Sequence, residues 1–320
     1  INKSDVDIVH LHWIGNGMIS IREISKIKKP IVWTLHDMWA LCGSEHYDDL
    51  NNPKRYNEGY SRNNFPLDYR GLDIDRWTWN RKMKHWSDKE LNIVTPSRWL
   101  ANCASASPLF ENKKIQVIPN GLDLDLYKPI PKEWARTIMN IHVDEDKKYI
   151  LFGAMSATSN KRKGFIQLKK ALELVKDKNY HLLIFGSEGY NGINYGIPTT
   201  YLGRLNDDET LALAYSAADV MVVPSLQDNL PNTAVEAIAC GTPVVSFSIG
   251  GLPDIVEDKK NGYFAKPFEY QDLANGINWI LKNEERIARM SKSARLKAEQ
   301  TFNIENIARL YGNLYESILD

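Results

Sequence analysis

Four charged side chains in the second half of the sequence have types and positions suited to binding phosphate and hydroxyl groups. Arg162 and Lys163 directly precede Gly164, where a helical pattern begins. Cations at a helix start add to the positive end of the helix dipole and favour a bound phosphate. Asp228 and Glu236 are separated by seven residues, and a carboxylate can accept hydrogen bonds from neighbouring hydroxyls. The alternative interpretation of the basic run 161–163 is a solvated surface.

A second group of polar side chains lies in the first half, at the end of an apolar run. His36 and Asp37 close the run PIVWTLHD, and parallel sheets present functional groups at the carboxyl ends of their strands. A histidine with only a structural role at the strand end is the alternative for His36. His10 and His12 alternate on another strand, so they share a face. Residues of metal-ligand type do occur here, but they lack a recognised zinc spacing, and we expect no metal site. They are His36, Asp37, Cys42, Glu45 and His46.

The elements that must position these groups alternate between strands and helices. Short runs rich in Val and Ile predict buried parallel strands, and segments with apolar residues at helical spacing lie between them. This is the βαβ pattern of an α/β protein. The first half contains predicted strands at 7–14, 30–37, 92–97 and 115–120. The second half contains predicted strands at 149–155, 181–187, 199–205, 219–225 and 243–249.

A linker separates the two halves. Pro119, Gly121, Pro129 and Pro131 interrupt both periodicities. Because 320 residues exceed one compact core, we predict a partial N-terminal domain at 1–120 and a second domain at 121–303. A C-terminal helix at 304–320 is expected to pack back on the first domain.

Composition excludes several classes of protein. Forty Lys plus Arg balance forty Asp plus Glu, so no overall field attracts nucleic acid or an anionic membrane. The three cysteines are odd in number and far apart, which favours a reducing cytoplasm over a disulfide framework. No apolar run reaches the roughly 20 residues of a membrane span. We expect a cytoplasmic protein whose membrane contact, if it has one, is peripheral and on the inner face.

Longer motifs place the charged residues in a known family. The stretch PSLQDNLPNTAVEAIACGTPVV at 224–245 resembles the signature of family 4 retaining glycosyltransferases. Further matches are VIPNGLDLDLYKP, LIFGS, YLGRL, YSAADVMVVPS and GGLPDIVEDKKNGYFAKP. In the first half, DIVHLHWI and WTLHDMWALCG resemble the bacterial subgroup that builds capsule, exopolysaccharide or O-antigen chains. The resemblance covers nearly all of the chain.

The resemblance implies a GT-B fold, in which two Rossmann-like, doubly wound parallel-sheet domains face a cleft. It implies a retaining hexosyltransferase that needs neither metal nor cofactor and moves a sugar from a nucleoside diphosphate sugar to a glycan or lipid-linked acceptor. Catalytic roles carry over to His36, Asp37, Lys163 and Asp228. Acceptor-binding roles carry over to His12 and Trp13. Donor-binding roles carry over to Arg162, Lys163, Gly186, Ser187, Arg204, Asp228, Asn229, Leu230, Asn232, Thr233 and Glu236.

Individual roles follow from the same resemblance. Glu236 matches the residue that binds the ribose hydroxyls, and Asp228 matches the residue that contacts the transferred sugar. His36 matches the histidine beside that sugar, and Arg162 and Lys163 are assigned to the diphosphate. The family usually has another arginine near 154–155, where this sequence has Ala and Met. We expect Arg162 to replace it.

The family also starts with a glycine-rich turn after the first strand, and this sequence opens downstream of that turn, so we expect an incomplete first domain. Two alternatives to an active transferase therefore stay open. One is a fragment that binds nucleotide sugar but is inactive without the missing segment or a partner. The other is a GT-B epimerase, which should lack the paired acids.

Two residue patterns have competing interpretations. Thr233 and Glu236 form a capping box, in which the glutamate would only secure a helix end. On the segment 76–86, Trp79, Met83 and Trp86 fall at helical spacing among basic residues. That pattern suits a membrane-facing surface, although tryptophans at this spacing also pack into cores.

Overall fold

The computed structural model describes residues 1–15, 17–49, 54–66, 69–141, 146–153, 160–175, 177, 179–186 and 194–320. The chain divides into two compact units. Unit 1 comprises Ile1–Pro119 and Ala308–Asp320, and unit 2 comprises Asn120–Ile307. The boundaries expected from the sequence, after residues 120 and 303, differ from these by one and four residues. No helix among the described residues is both long and apolar enough to span a membrane.

Unit 1 contains a parallel sheet of four strands in the order β1-β2-β3-β4. The strands are β1 (Val9–His12), β2 (Ile31–Thr34), β3 (Asn92–Thr95) and β4 (Lys114–Val117). The helices are α1 (Ile21–Ser25), α2 (Arg55–Glu58), α3 (Ile74–Trp86) and α4 (Arg98–Ala106), and the unit includes most of the C-terminal helix α12 (Ile304–Leu319). Each apolar run predicted as a strand contains one, but β2 ends at Thr34. His36 and Asp37 therefore lie in the loop beyond the strand.

Unit 2 contains a parallel sheet of six strands in the order β10-β9-β8-β5-β6-β7. The strands are β5 (Lys148–Gly153), β6 (Tyr180–Phe185), β7 (Thr199–Gly203), β8 (Val220–Val223), β9 (Val244–Phe247) and β10 (Gly262–Ala265). The helices are α5 (Lys132–Ile138), α6 (Phe165–Leu174), α7 (Asp208–Ala217), α8 (Asn232–Ala239), α9 (Leu252–Ile255), α10 (Tyr270–Leu281) and α11 (Glu284–Thr301), with a 3₁₀ turn at Lys161–Lys163 before α6. The chain adds β6 and β7 on one side of β5 and β8 to β10 on the other. The order therefore reverses between β5 and β8.

Trp79, Met83 and Trp86, whose spacing suits a membrane surface, face the core of unit 1. Trp86 is fully buried and lies edge-on to Trp33, with ring centroids 5.1 Å apart. Trp79 and Met83 pack against the same core. The membrane prediction is therefore wrong for these three side chains, because removing apolar rings from water outweighs the bias of the basic residues between them.

Lys82, one of those basic residues, also points inward. Its ammonium donates to the carbonyls of Cys42 and Gly43, at 3.0 and 2.7 Å, and to that of Trp39. The Trp39 ring lies 3.9 Å from the charge, within the range of a cation–π contact. Burial lowers the pKa of Lys82 to about 7. This lysine ties α3 to the loop that follows β2.

The 3₁₀ turn and the loop after β8 approach each other so closely that one position admits only glycine. Gly164 has φ +71°, and a Cβ there would lie 1.7 Å from the carbonyl oxygen of Pro224. The amide of Leu226 donates to the carbonyl of Arg162 at 2.8 Å across the same contact. The backbone therefore fixes the distance between the two segments.

We predict that Gly164→Ala lowers the free energy of unfolding by roughly 2–5 kcal/mol, because the added methyl meets a carbonyl in a strained backbone conformation. Gly203→Ala is the matched control, since Gly203 also has a positive φ but nothing lies within 4 Å of its added Cβ. Backbone strain alone should cost that variant about 1–2 kcal/mol. Urea unfolding measures both, and equal losses would show that the close contact does not constrain the fold.

Candidate functional site

The predicted cations and the first predicted acid of unit 2 meet in one ion-pair cluster. Lys163 Nζ lies 2.6 Å from Asp228 Oδ2, and Arg162 Nη1 lies 3.2 Å from Asp228 Oδ1. Arg162 Nη1 also donates to the carbonyl of Gln227 at 2.6 Å, and the Ser225 hydroxyl donates to Asp228 Oδ2 at 3.2 Å. Asp228 is buried, whereas both cations are partly exposed. Two positive groups thus face one carboxylate, and the cluster carries a net positive charge.

The position of this cluster follows from the strand order. Arg162 and Lys163 come after β5, and Asp228 comes after β8, so they lie at the carboxyl ends of the two strands between which the order reverses. Open parallel sheets bind ligands at this switch point. A second close approach holds the Asp228 loop, because a Cβ on Gly250 would lie 2.0 Å from the Asp228 carbonyl oxygen.

Glu236 lies within α8 and is held by a neighbouring helix. The hydroxyl of Tyr215, on α7, donates to Glu236 Oε2 at 2.6 Å. Burial raises the pKa of Glu236, and the Tyr215 hydrogen bond acts in the opposite direction. The capping-box interpretation is wrong, because α8 begins after Pro231 without a side-chain cap, and Thr233 already lies inside the helix.

The remaining predicted donor residues differ in accessibility. Asn232 and Thr233 form the first turn of α8, where helix amides lack partners within the helix. Asn229 is buried, and the Leu230 side chain is buried in the apolar core, so Leu230 could meet a ligand only through its backbone. The first turn of α8 therefore offers amide donors, whereas the side chains of Asn229 and Leu230 are buried.

Three further predicted positions follow β6 or β7 in the sequence. Gly186 has φ +77°, and its amide donates to the carbonyl of Gly203 at 2.8 Å. Ser187 lies outside the described residues. Arg204 is exposed at the end of β7, the edge strand, two strands away from β5. The described structure does not bring Arg204 into contact with the Asp228 cluster.

Sequence reasoning missed the groups that orient the predicted ones. Tyr215, Ser225 and Gly250 all lie inside motifs that were noted for their resemblance. Nothing in those motifs indicates that Tyr215 reaches a glutamate 21 positions later. Only the packing of α7 beside α8 shows that contact.

In unit 1, three of the four predicted residues take part in two hydrogen-bonded pairs, and the fourth, Trp13, stacks on a member of one pair. His12 Nδ1 lies 3.0 Å from His36 Nε2, and His46 Nδ1 lies 2.6 Å from Asp37 Oδ2. Trp13 is half exposed and stacks on His46, with ring centroids 6.2 Å apart. All but His12 line one small cavity. Within the described residues, no three His, Cys, Asp or Glu side chains are arranged to hold a metal ion.

A fourth histidine, His10, connects this region to the C-terminal helix. The ring nitrogens of His10 lie 2.7 Å from the Tyr315 hydroxyl and 2.8 Å from the Thr34 hydroxyl, which in turn lies 2.9 Å from the Tyr311 hydroxyl. Burial, together with the nearby His12 and His36, lowers the pKa of His10 to about 4. Burial also lowers the pKa of His12 and of His36. The three imidazoles are therefore neutral near pH 7.

Comparison with known families identifies the class of protein. Residues 136–297 match the family described as Glycosyl transferases group 1, and residues 1–126 match the one described as Glycosyltransferase Family 4. The first match covers half of the chain, and the protein therefore belongs to the glycosyl transferases group 1. The GT-B fold predicted from the sequence, with two Rossmann-like parallel-sheet domains, is confirmed.

Several individual proteins are similar to this chain. D-inositol 3-phosphate glycosyltransferase of Mycobacterium tuberculosis is 30% identical over 295 residues, which are 86% of this chain and 54% of that protein. Sucrose-phosphate synthase of Thermosynechococcus elongatus superposes with a TM-score of 0.75 at 22% identity, over 98% of this chain and 73% of that one. Anabaena Alr3699/HepE in complex with UDP-glucose superposes with a TM-score of 0.65 at 21% identity, over 91% and 73%. Across eight curated relatives that it matches, the chain spans 39% to 66% of the relative's length.

We predict that His10 makes unit 1 less stable in acid. Its pKa is about 4 in the fold against an ordinary 6.5, so between these values the unfolded chain binds more protons, and stability falls as the pH falls. Glu45 acts in the opposite direction, because burial raises its pKa to about 7. Because the effects of His10 and Glu45 oppose each other in the parent, the contribution of His10 is measured by comparing the parent with His10→Gln. Between pH 6.5 and pH 4, the melting temperature of the parent should fall further than that of His10→Gln. Parallel curves would show that His10 is not held neutral.

Proposed function

We propose that this protein is a retaining hexosyltransferase that takes a sugar from a nucleoside diphosphate sugar and passes it to a glycan or lipid-linked acceptor. Its place would be in bacterial capsule, exopolysaccharide or O-antigen synthesis. Family membership supports the general reaction. The subgroup motifs DIVHLHWI and WTLHDMWALCG support the type of acceptor.

The observation that carries this proposal is the Arg162–Lys163–Asp228 cluster at the switch point of the unit 2 sheet. When the sugar leaves its donor, negative charge grows on the diphosphate. Fixed cations next to that group stabilise the charge without having to reorganise. Asp228 holds both cations in place, because each lies within 3.2 Å of one of its carboxylate oxygens.

Arg162 and Lys163 supply the positive charge that a metal ion supplies in other phosphate-binding sites. We therefore propose that the reaction needs no metal. The first turn of α8, which follows Asp228 in the chain, adds amide donors. Lys163 and Ser225 contact Asp228 Oδ2, and Arg162 contacts Oδ1. Asp228 can therefore accept a hydrogen bond from a sugar hydroxyl through the second lone pair of Oδ1. We assign it to the transferred sugar.

We assign Glu236 to the ribose. Tyr215 occupies one lone pair of its Oε2, at 2.6 Å, and leaves Oε1 to accept from hydroxyls. Tyr215 is fully buried, so the carboxylate is held in one orientation. Alr3699/HepE has been solved with UDP-glucose, and uridine nucleotides are therefore the first donors to test.

In unit 1, we propose that His36, Asp37, His12 and Trp13 serve the acceptor. Because burial lowers the pKa of His36, this residue acts as a neutral hydrogen-bonding group that positions substrate. A departing phosphate oxygen would then take the proton of the acceptor hydroxyl. The exposed ring of Trp13 offers an apolar face of the kind that sugar rings stack on.

We predict that Lys163→Ala weakens the binding of UDP by about tenfold or more, because a charged hydrogen-bond partner contributes about 1.5–3 kcal/mol. UMP lacks the second phosphate, and its affinity should change less. Isothermal titration calorimetry measures both nucleotides. Folding should be little affected, since the lysine is partly exposed at a helix start.

Lys161→Ala is the matched control, because Lys161 belongs to the same 3₁₀ turn but is exposed. A solvated basic run would give small and equal effects in the two variants. If Lys163→Ala and Lys161→Ala bind UDP equally well, the cluster does not bind the diphosphate.

A further inference from the structure

Three apolar side chains at the start of α3 are unusually exposed. Leu72, Ile74 and Trp77 are 85%, 55% and 60% exposed, respectively. They line one open groove on unit 1, together with the polar chains of Asp73, Arg76 and Asn80. We call these three residues the Trp77 patch. Single exposed apolar residues are common on protein surfaces, but a contiguous set marks an interaction surface.

The patch lies on the side of α3 that does not pack on the core. The buried residues of the helix are Thr78, Lys82 and Trp86. Trp77 thus precedes the inward-facing Thr78 and points to the other side, where the core of unit 1 cannot cover it. This is not the face considered from the sequence, which packs inward.

Two arginines next to the Trp77 patch carry positive charge. Arg81 places its guanidinium 4.7 Å from the centre of the Trp77 ring, and Arg76 borders the same groove. No carboxylate among the described residues forms an ion pair with either arginine.

The two acids of this segment are engaged elsewhere. Asp73 pairs with the buried Arg55, with 2.6 Å between Oδ2 and Nη2, and its other oxygen caps α3. Asp75 accepts the hydroxyl and the amide of Ser44. The groove therefore presents apolar side chains framed by cations.

We propose that the Trp77 patch docks unit 1 on a membrane surface that contains anionic lipids. Trp77, Leu72 and Ile74 would enter the interface between headgroups and acyl chains, and Arg76 and Arg81 would contact the lipid phosphates. A second copy of this chain fits less well, because a two-fold interface through the patch would bring its own arginines together. The proposal does not depend on the donor chemistry of unit 2.

Sedimentation with lipid vesicles tests the proposal. The parent should bind vesicles of phosphatidylcholine mixed with phosphatidylglycerol, and should bind vesicles of phosphatidylcholine alone much more weakly. Added salt should weaken the binding, because it screens the lipid phosphates. Trp77→Glu should lower the partition coefficient by about tenfold or more, which is the contribution of a buried large apolar side chain. Arg81→Gln should lower it by about fivefold.

The matched control is Trp134→Glu. Trp134 is 67% exposed on α5, but the neighbouring cations Lys132 and Arg136 both pair with Asp219. This variant should bind vesicles within about twofold of the parent, as expected for an unrelated surface substitution. Melting temperatures of all variants should match that of the parent, since each altered side chain lies at the surface.

Two results of the vesicle experiment would overturn the proposal. One is a parent protein that does not bind anionic vesicles at low salt. The other is equal loss of binding in Trp77→Glu and Trp134→Glu. Size-exclusion chromatography provides the remaining check, because a dimer that Trp77→Glu dissociates would assign the patch to a second copy instead.

Discussion

The relative positions of the Asp228 carboxylate and its two cations depend on how closely three backbone segments of unit 2 approach one another. Gly164 contacts the carbonyl of Pro224, and Gly250 contacts that of Asp228, with no room for a side chain at either glycine. The loop after β8 is therefore fixed between the 3₁₀ turn and the loop after β9. Because β5 and β8 are neighbours, this places opposite charges at the point where the strand order reverses.

In unit 1, the buried charge of Lys82 holds a functional loop in place. The ammonium of Lys82 donates to three carbonyls of the loop after β2, and buried carbonyls need such partners. That loop carries Asp37 and His46, whose hydrogen bond shapes the small cavity. Anchoring the inner face of α3 in this way also leaves Trp77 on the outside, so one helix fixes an internal loop and exposes an apolar surface.

Several strand positions could be predicted because β2, β3, β8 and β9 are buried on both faces and appear as continuous apolar runs. The short strand β10 and helix α5 were missed, since GYFA is brief and α5 follows a proline-rich stretch that suggested a linker. Lys163 and Asp228 are 65 positions apart in the sequence. Local motifs identify the two residues, but not the ion pair between them. The spacing of Trp79, Met83 and Trp86 predicted either core packing or a membrane surface, and the structure confirms core packing. The burial of Lys82 on the same side could not be predicted, because the residue is charged.

The assignment of unit 2 as a donor site is tested most directly with Glu236→Gln, which keeps an oxygen that can accept from Tyr215. UDP affinity should fall by about 1.5–3 kcal/mol, because a charged partner of the ribose hydroxyls is lost. Affinity for inorganic diphosphate, which has no ribose, should stay the same, and the melting temperature should not fall. Calorimetry that finds unchanged UDP affinity, or an equal loss for inorganic diphosphate, would contradict the assignment.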